Sequence, residues 1–167
     1  PMLLTFDDGL ASVVDLAVPV LRELGASAVV FVTTEWTDAG RTPDIFRLER
    51  AISDRIPLHL AVNVGDHHFR SQINSRAGAR RSLAKLWSFL FTHRFPPHAL
   101  SGENILLDGV PWAGQPTPQD RHFWYPATWD ELAGGVSDGL LEIGSHLLAH
   151  APLTWFSEKE QHRQLEN

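Results

Sequence analysis

MLLTFDDG, residues 2–9, is the stretch of sequence that decides the fold of this chain. Its apolar residues form a short run that ends at Gly9, the pattern of a buried strand leading into a tight turn. The turn carries two adjacent carboxylates, Asp7 and Asp8, and α/β proteins place their chemistry in loops at the carboxyl ends of such strands. Burying two carboxylates together is costly unless a positive charge compensates, and a divalent cation is the simplest compensator. The alternative is that both acids only support a turn.

A second polar cluster, GSHLLAH, occupies residues 144–150. His146 and His150 are four residues apart, so a helical segment would place both rings on one face with Cβ atoms about 5–6 Å apart. Neutral imidazole is the commonest metal ligand and suits zinc and other first-row metals. Two histidines and one carboxylate, with an open position for water, are typical of a catalytic metal site. Either histidine could instead be an ordinary residue, because the chain contains nine.

The two clusters together resemble the polysaccharide deacetylase family, the NodB-homology enzymes of carbohydrate esterase family 4. The family's first motif, Thr-Phe-Asp-Asp-Gly, is intact at residues 5–9. Its second motif, His-(Ser or Thr)-x-x-His, is matched by His146 to His150. The resemblance covers roughly residues 1–36 and 124–167 and leaves out the middle of the chain.

This resemblance implies roles for individual residues. It implies that Asp7 is the general base and that Asp8, His146 and His150 bind a divalent metal, most often zinc, with cobalt or nickel as alternatives. It further implies a metal-dependent hydrolase that removes acetyl groups from an N-acetylated sugar or polysaccharide, in bacterial surface-glycan biosynthesis or modification. Leu147 departs from the family pattern, which removes a hydroxyl that could support the ligand loop.

Alternating strand and helix patterns predict a parallel α/β sheet. The patterns place strands at residues 2–6, 28–33 and 140–144, and helices at about 11–24 and 128–134. The resemblance implies a partial or distorted (β/α) barrel of the polysaccharide deacetylase type. We interpret residues 1–167 as a single such domain that is incomplete at its C-terminus, with residues 37–123 as an insert between the second strand and the histidine motif.

The family's later motifs, which supply its oxyanion donor, substrate wall and general acid, find no match in this sequence. We therefore do not expect the chain to be active by itself. A parallel sheet of this kind would also have an open edge, and such edges are normally covered or paired. We expect either a missing C-terminal segment or a homo-oligomer contact to cover it.

Within the insert, periodicity predicts a helix at about 45–52, a strand at 57–64 and a helix at 75–93. The last helix has an apolar stripe consisting of Leu83, Leu86, Trp87, Leu90 and Phe91. Its opposite face carries four cations, Arg76, Arg80, Arg81 and Lys85, with no acid between residues 71 and 100. That face either docks an anionic sugar or sugar-phosphate carrier or, as charge runs usually do, is simply solvated.

Other polar and aromatic residues give weaker predictions. Trp112, Trp124 and Trp129 could stack on sugar rings, although core packing is the expected role for Trp129. Residues 66–68, Asp-His-His, are a second metal candidate, beside an irregular, polar segment with no further acid nearby. Residues 102–119 are rich in glycine and proline and predict a loop or hairpin.

Composition excludes several classes of protein. The net charge of −6 argues against general nucleic-acid binding, and the absence of cysteine excludes disulfides and thiolate metal sites. No apolar run reaches the length of a membrane span, and the start does not have the pattern of a signal peptide. We therefore expect a cytoplasmic protein, with the periplasm or cell surface as the alternative.

Two other functions compete with the deacetylase. The first is a catalytically incomplete module that binds metal and glycan without turnover, which the Leu147 departure favours. The second is a haloacid-type phosphatase, which needs Asp-x-Asp rather than adjacent acids. Because that enzyme uses magnesium, and magnesium prefers oxygen ligands, His146 and His150 would be left unexplained.

Overall fold

The computed structural model describes residues 2–41, 44–112 and 121–166. These residues form a mixed α/β protein with two sheets. The chain divides into two compact units, the first comprising Pro1–Thr42 and Thr117–Asn167 and the second Pro43–Pro116. The barrel type and the arrangement as one domain with an insert stay predictions. No helix in the described ranges is long and apolar enough to cross a membrane.

Helices and strands are interspersed along the described residues. The helices are α1 (Val18–Leu24), α2 (Thr34–Ala39), α3 (Asp44–Ser53), α4 (Arg76–His93), α5 (Arg121–Trp124), α6 (Trp129–Ser137) and α7 (Glu158–Leu165). The strands are β1 (Thr5–Phe6), β2 (Ala28–Val32), β3 (Leu58–Val64), β4 (His67–Ile73), β5 (Ile105–Leu107), β6 (Val110–Pro111) and β7 (Leu141–Ser145). A π-helical segment, Val13–Ala17, runs directly into α1.

The first unit is built on a parallel sheet with the order β1-β2-β7. Buried aliphatic side chains from the sheet, α1 and α6 form its core, including Leu21, Val30 and Leu132. The predicted strands at 28–33 and 140–144 are confirmed within a residue as β2 and β7. The predicted strand at 2–6 is wrong at its start, because only Thr5–Phe6 pairs with β2 and residues 2–4 are exposed.

β1 lies at an edge of this sheet and borders an apolar groove. The groove has a volume of about 500 Å³, and its lining includes Leu4, Leu16, Val20 and Leu24. Leu16, Val20 and Leu24 are more than half exposed. No observation on the described residues tests whether a C-terminal segment or a homo-oligomer contact covers the open edge, and this stays a prediction.

Two neighbouring glycines of α6 give a matched test of the packing of helix on sheet. A Cβ on Gly135 would lie 2.5 Å from Leu141 Cδ1, whereas a Cβ on Gly134 would meet nothing within 4 Å. Leu141 is buried, so it cannot move aside cheaply. We expect Gly135→Ala to lower the free energy of unfolding by about 1–3 kcal/mol, because overpacking forces strain on a filled core.

Gly134→Ala is the control, since it adds the same methyl group to the same helix. We expect this variant to be as stable as the parent or about 0.5–1 kcal/mol more stable, because alanine is the better helix former. Urea unfolding followed by circular dichroism measures both. Equal stability of the two variants would contradict the close approach of α6 to β7.

The second unit is an antiparallel sheet, order β4-β3-β5-β6, packed with α3 and α4. The predicted helix at 45–52, strand at 57–64 and helix at 75–93 are confirmed as α3, β3 and α4.

β3 and β4 form a hairpin in full register from Leu58↔Ile73 to Val64↔His67. Residues 66–68 therefore belong to this hairpin, with Asp66 in its turn and His67 and His68 on β4. The short β5–β6 hairpin lies within the predicted loop or hairpin at 102–119, of which residues 113–119 are outside the described part.

The apolar side of α4 is rotated relative to its predicted stripe. Leu83, Leu86 and Leu90 are buried as expected, but Phe91 is 54% exposed. Ser82 is buried instead, and its hydroxyl is 2.7 Å from that of Ser71 on β4. The stripe shifts because the helix packs against β4 on the side that carries Ser82.

The three tryptophans that could stack on sugars have different environments. Trp112 is buried in the core of the second unit and is not available to a ligand. Trp129 is 42% exposed, so the expectation that it packs in a core is wrong. Its indole N–H donates to Asp38 Oδ1 at 2.7 Å, which ties α6 to α2 at the surface. The side chain of Trp124 lies outside the described part of the structure.

Candidate metal centre

Three side chains from opposite ends of the chain converge in the first unit. Asp8, His146 and His150 each offer one ligand atom, and these atoms lie within 4.8 Å of one another. Asp8 Oδ1 is 3.6 Å from His146 Nε2 and 3.1 Å from His150 Nε2. The two imidazole ring centres are 4.9 Å apart. Within the described ranges, this is the one group of three or more His, Cys, Asp or Glu side chains close enough to share an ion.

The two separations from Asp8 Oδ1 are close to those expected around a tetrahedral ion. Two ligands that each lie about 2.0–2.1 Å from zinc at a tetrahedral angle are about 3.3 Å apart, between the two measured separations. Asp8 Oδ1 is buried and accepts no hydrogen bond of good geometry from the described residues, which leaves its charge in need of a partner. The three side chains are 22–34% exposed, so solvent can reach the group. The residues therefore fit a divalent metal with an open coordination position.

A left-handed turn after β1 presents Asp8. Asp8 and Gly9 both have φ of 72°, a region that Asp visits more readily than most residues and that glycine adopts without strain. Any side chain at position 9 would be crowded as well, because a Cβ there would lie 3.1 Å from Val32 Cγ1. The Thr33 N–H donates to the Asp8 carbonyl at 3.4 Å. The sequence Asp-Gly thus suits a turn that is held against the end of β2.

The segment before α6 holds the other side of this turn. The Ala127 N–H donates to the Gly9 carbonyl at 2.8 Å, and the Ala11 N–H donates to the Tyr125 carbonyl at 2.9 Å. α6 then begins with a capping box between Thr128 and Glu131, each side chain accepting the other's backbone N–H. The acid turn is therefore fixed by backbone hydrogen bonds from both β2 and the approach to α6.

Arg121 anchors the approach to α6. Its guanidinium donates to Asp15 at 2.9 Å and also to Glu131. The bond to Asp15 raises the pKa of Arg121, against the opposing effect of burial. Burial acts to raise the pKa of Glu131, but hydrogen bonds from Thr128 and Arg121 outweigh it and leave that pKa below its usual value. Both groups are therefore charged at neutral pH and join α6 to the π-helical segment.

The histidine motif is a turn and not the helix that would explain its spacing. Leu147 and His150 have φ of 66° and 47°, which interrupts any helix between them. The carbonyls of Leu147 and Leu148 accept the N–H groups of Thr34 and Glu35, at 3.3 and 3.2 Å. The first N–H groups of a helix lack partners within it, so α2 binds carbonyls that a helical motif would need for itself. The two rings therefore come together through this turn, and the interpretation of their spacing as helical is wrong.

Ser145 replaces the hydroxyl that Leu147 lacks. The Ser145 Oγ accepts the Leu147 N–H at 3.1 Å, and the His146 N–H donates to the Val32 carbonyl at 2.8 Å. The backbone around His146 is therefore held by hydrogen bonds without a side-chain hydroxyl at position 147.

Two further residues, neither of them marked by a sequence pattern, support the motif. Gln164 of α7 is fully buried, and its Oε1 accepts the Ala149 N–H at 3.1 Å. The buried Trp36 of α2 packs its ring 5.1 Å from the ring of His150. No sequence signal marked Gln164, which lies in a helix of charged residues where an exposed glutamine would be ordinary.

Gln164 gives a test of this support. Gln164→Met keeps the length of the side chain but leaves the buried Ala149 N–H without an acceptor, at a cost of about 1–3 kcal/mol. Mutation of a residue that orients a metal ligand typically lowers the affinity for the metal by about 10–100-fold, so we expect zinc binding to weaken by that factor. Titration against a competing zinc chelator measures the affinity.

Gln161→Met is the matched control, because Gln161 lies in the same helix and donates to the Phe156 carbonyl rather than to the histidine turn. We expect this control to retain the parent's zinc affinity. If both variants bind zinc as the parent does, Gln164 does not orient the site.

Other predicted candidates lie outside the group of three. Asp7 is exposed in the turn next to Asp8, and its role as general base stays a prediction. His67 packs against His93 with ring centres 4.1 Å apart, and His68 Nδ1 lies 2.9 Å from Asn63 Oδ1. Residues 66–68 are not brought together as metal ligands.

Comparison with known proteins gives one match. The family model for polysaccharide deacetylase matches residues 1–59, about a third of the chain. The match includes Asp7 and Asp8 but not the histidine motif. No curated protein and no solved structure matches the chain. At the level of the family, the match indicates a hydrolase that deacetylates carbohydrate and takes a carbohydrate substrate.

Proposed function

We propose that this protein is a metal-dependent hydrolase that removes acetyl groups from an N-acetylated sugar or polysaccharide. One observation carries the proposal: a motif inside the matched region and a motif far outside it supply three ligand atoms within 4.8 Å of one another. Chance histidines would have no reason to meet an acid of the matched motif. On the strength of the resemblance, we further propose bacterial surface-glycan metabolism as the setting.

The chemistry follows from the residues present. Asp8, His146 and His150 would hold a divalent ion, and zinc is the ion of choice because it binds this mixture of nitrogen and oxygen ligands. Such an ion polarises a carbonyl and lowers the pKa of water. Asp7, one residue away and open to solvent, accepts the proton of the attacking water. The water oxygen adds to the acetyl carbon, and the C–N bond then breaks as the nitrogen takes up a proton from solvent, to which Asp7 returns the proton that it accepted. The products are acetate and a free amine.

An activated ester gives the sharpest test on this chain. An amide leaves as an amine and needs a proton from a general acid, whereas 4-nitrophenolate leaves from 4-nitrophenyl acetate without one. We therefore expect zinc-dependent hydrolysis of the aryl acetate by the 167-residue chain. Acetate release from N-acetylglucosamine oligosaccharides should be much slower. Both rates should return to that of the metal-free protein when a chelator is added.

Nine histidines could react with an aryl acetate on their own, so the metal-free protein and His68→Ala serve as controls. His68 lies outside the group of three, and its variant should keep the full zinc-dependent rate. Zinc binding without any zinc-dependent hydrolysis of either substrate would overturn the deacetylase. The module that binds metal and glycan without turnover would then take its place.

A further inference from the structure

The solvent-facing side of α4 carries four cations that pair with no acid among the described residues. This basic face consists of Arg76, Arg80, Arg81 and Lys85, all exposed. Among the described residues, none of the four forms an ion pair or a side-chain hydrogen bond with an acid. The sequence from 71 to 100 contains no Asp or Glu that could approach along the same segment. A row of unpaired cations attracts anions, provided that acids in the same unit do not cancel its positive potential.

The charge of the second unit reinforces this face. Pro43–Pro116 contains nine Lys and Arg against six Asp and Glu, a net charge of +3. The remainder of the chain contains five against fourteen, a net charge of −9, and the two values add to the −6 of the whole. The protein as a whole is acidic, but the unit that contains α4 has a net positive charge and can attract anions.

The spacing of the cations favours an anion of low charge density. Arg76, the pair Arg80 and Arg81, and Lys85 recur every four or five residues, which is about 6–7.5 Å along a helix axis. Duplex DNA carries a charge about every 1.7 Å and would be met by too few cations here. A polysaccharide with one carboxylate on each sugar carries its charges further apart.

An aromatic ring extends the same face. Phe91 follows Arg80 by eleven residues, three turns of helix, and is 54% exposed. The ring lies about 16 Å along the helix axis from Arg80, so it offers an apolar surface to a sugar unit further along the same polymer chain.

We propose that the basic face of α4 binds a polysaccharide that carries carboxylate groups. The choice of a glycan among anionic polymers rests on the proposed function, whereas the basic face itself does not. This second binding surface would hold the polymer through charge, independently of the metal ligands.

A charge-matched pair of variants tests the proposal. In the first, Arg80, Arg81 and Lys85 are replaced by glutamine. In the control, the exposed Arg22, Arg41 and Lys159 of the first unit are replaced in the same way. Each variant loses three positive charges, so the net charge of both falls equally. The probe is oligogalacturonate, with neutral dextran of similar length for comparison, and binding is measured by calorimetry at several salt concentrations.

We expect the full chain to bind oligogalacturonate but not dextran. The α4 variant should bind at least about tenfold more weakly, with a smaller dependence on salt, because fewer ions are displaced. The control variant should bind like the parent. Equal weakening in both variants would overturn the proposal, since net charge alone would then explain binding. Tighter binding of a short DNA duplex than of oligogalacturonate would overturn it in favour of a nucleic-acid surface.

The same measurement separates this proposal from the proposed function. Asp8→Asn, which removes a metal ligand, should leave oligogalacturonate binding unchanged. A parent chain that shows zinc-dependent hydrolysis but binds no oligogalacturonate would overturn the basic face alone. A parent chain that binds oligogalacturonate but shows no hydrolysis would overturn the deacetylase alone.

Discussion

Asp8→Asn and His146→Ala should each abolish stoichiometric zinc binding. The parent, loaded with zinc and freed of excess ion, should contain about one zinc per chain by elemental analysis. Each variant removes one of three ligands that converge within 4.8 Å, so affinity should fall by more than the roughly 10–100-fold that supporting residues are worth. Loss in both variants would place two motifs from distant parts of the sequence in one site.

The choice of asparagine at position 8 follows from the backbone. Asp8 has φ of 72°, which asparagine tolerates and which alanine would adopt only under strain. Asp8→Asn therefore keeps the turn and changes the charge of the ligand oxygen, so loss of zinc cannot be assigned to a misfolded loop. His68→Ala is the control for His146→Ala, because His68 is exposed and lies on β4, outside the group of Asp8, His146 and His150.

Thermal unfolding gives a second readout of the same prediction. A ligand that binds only the folded state stabilises it, by about 2.7 kcal/mol when its free concentration is a hundred times its dissociation constant. Zinc should therefore raise the melting temperature of the parent and of His68→Ala but not that of Asp8→Asn or His146→Ala. A parent that neither retains zinc nor is stabilised by it would show that the cluster is not a metal site, whatever its geometry.

The sequence predicted which residues lie together better than it predicted the backbone that brings them together. The residue types at Asp8, His146 and His150 pointed to one metal, and the structure brings these residues together. The predicted reason, helical spacing, is wrong, since Leu147 adopts a left-handed conformation and α2 takes the carbonyls of the turn. Spacing fixes which side chains can meet only once the local backbone is known, and here contacts from elsewhere in the chain determine the backbone.

Burial was the least predictable property. Phe91 and Trp129 are exposed although their types favour a core, whereas Gln164 is fully buried although its type favours the surface. In each case the neighbour that decides lies outside the segment itself: β4 for the face of α4, Asp38 for Trp129, and the Ala149 N–H for Gln164. Periodicity within one segment carries no information about such partners.

Asp7→Asn should abolish catalysis and leave the metal in place. Removing a general base typically lowers the rate by about 10²–10⁴-fold, so zinc-dependent hydrolysis of 4-nitrophenyl acetate should fall by that factor. Asparagine has the same shape as aspartate but cannot accept a proton at neutral pH. Because Asp7 is exposed and lies outside the group of three ligands, the zinc content should remain about one per chain.

Asp130→Asn is the matched control, since Asp130 is an exposed acid of the same unit and lies in the first turn of α6. It should keep both the zinc content and the rate. Loss of zinc in Asp7→Asn would make Asp7 a ligand and leave the reaction without a base. An unchanged rate with zinc retained would mean that the acid beside the metal has no part in proton transfer. Asp7 and Asp8 are adjacent in the chain, so only the separation of zinc content from turnover can show that they have different functions.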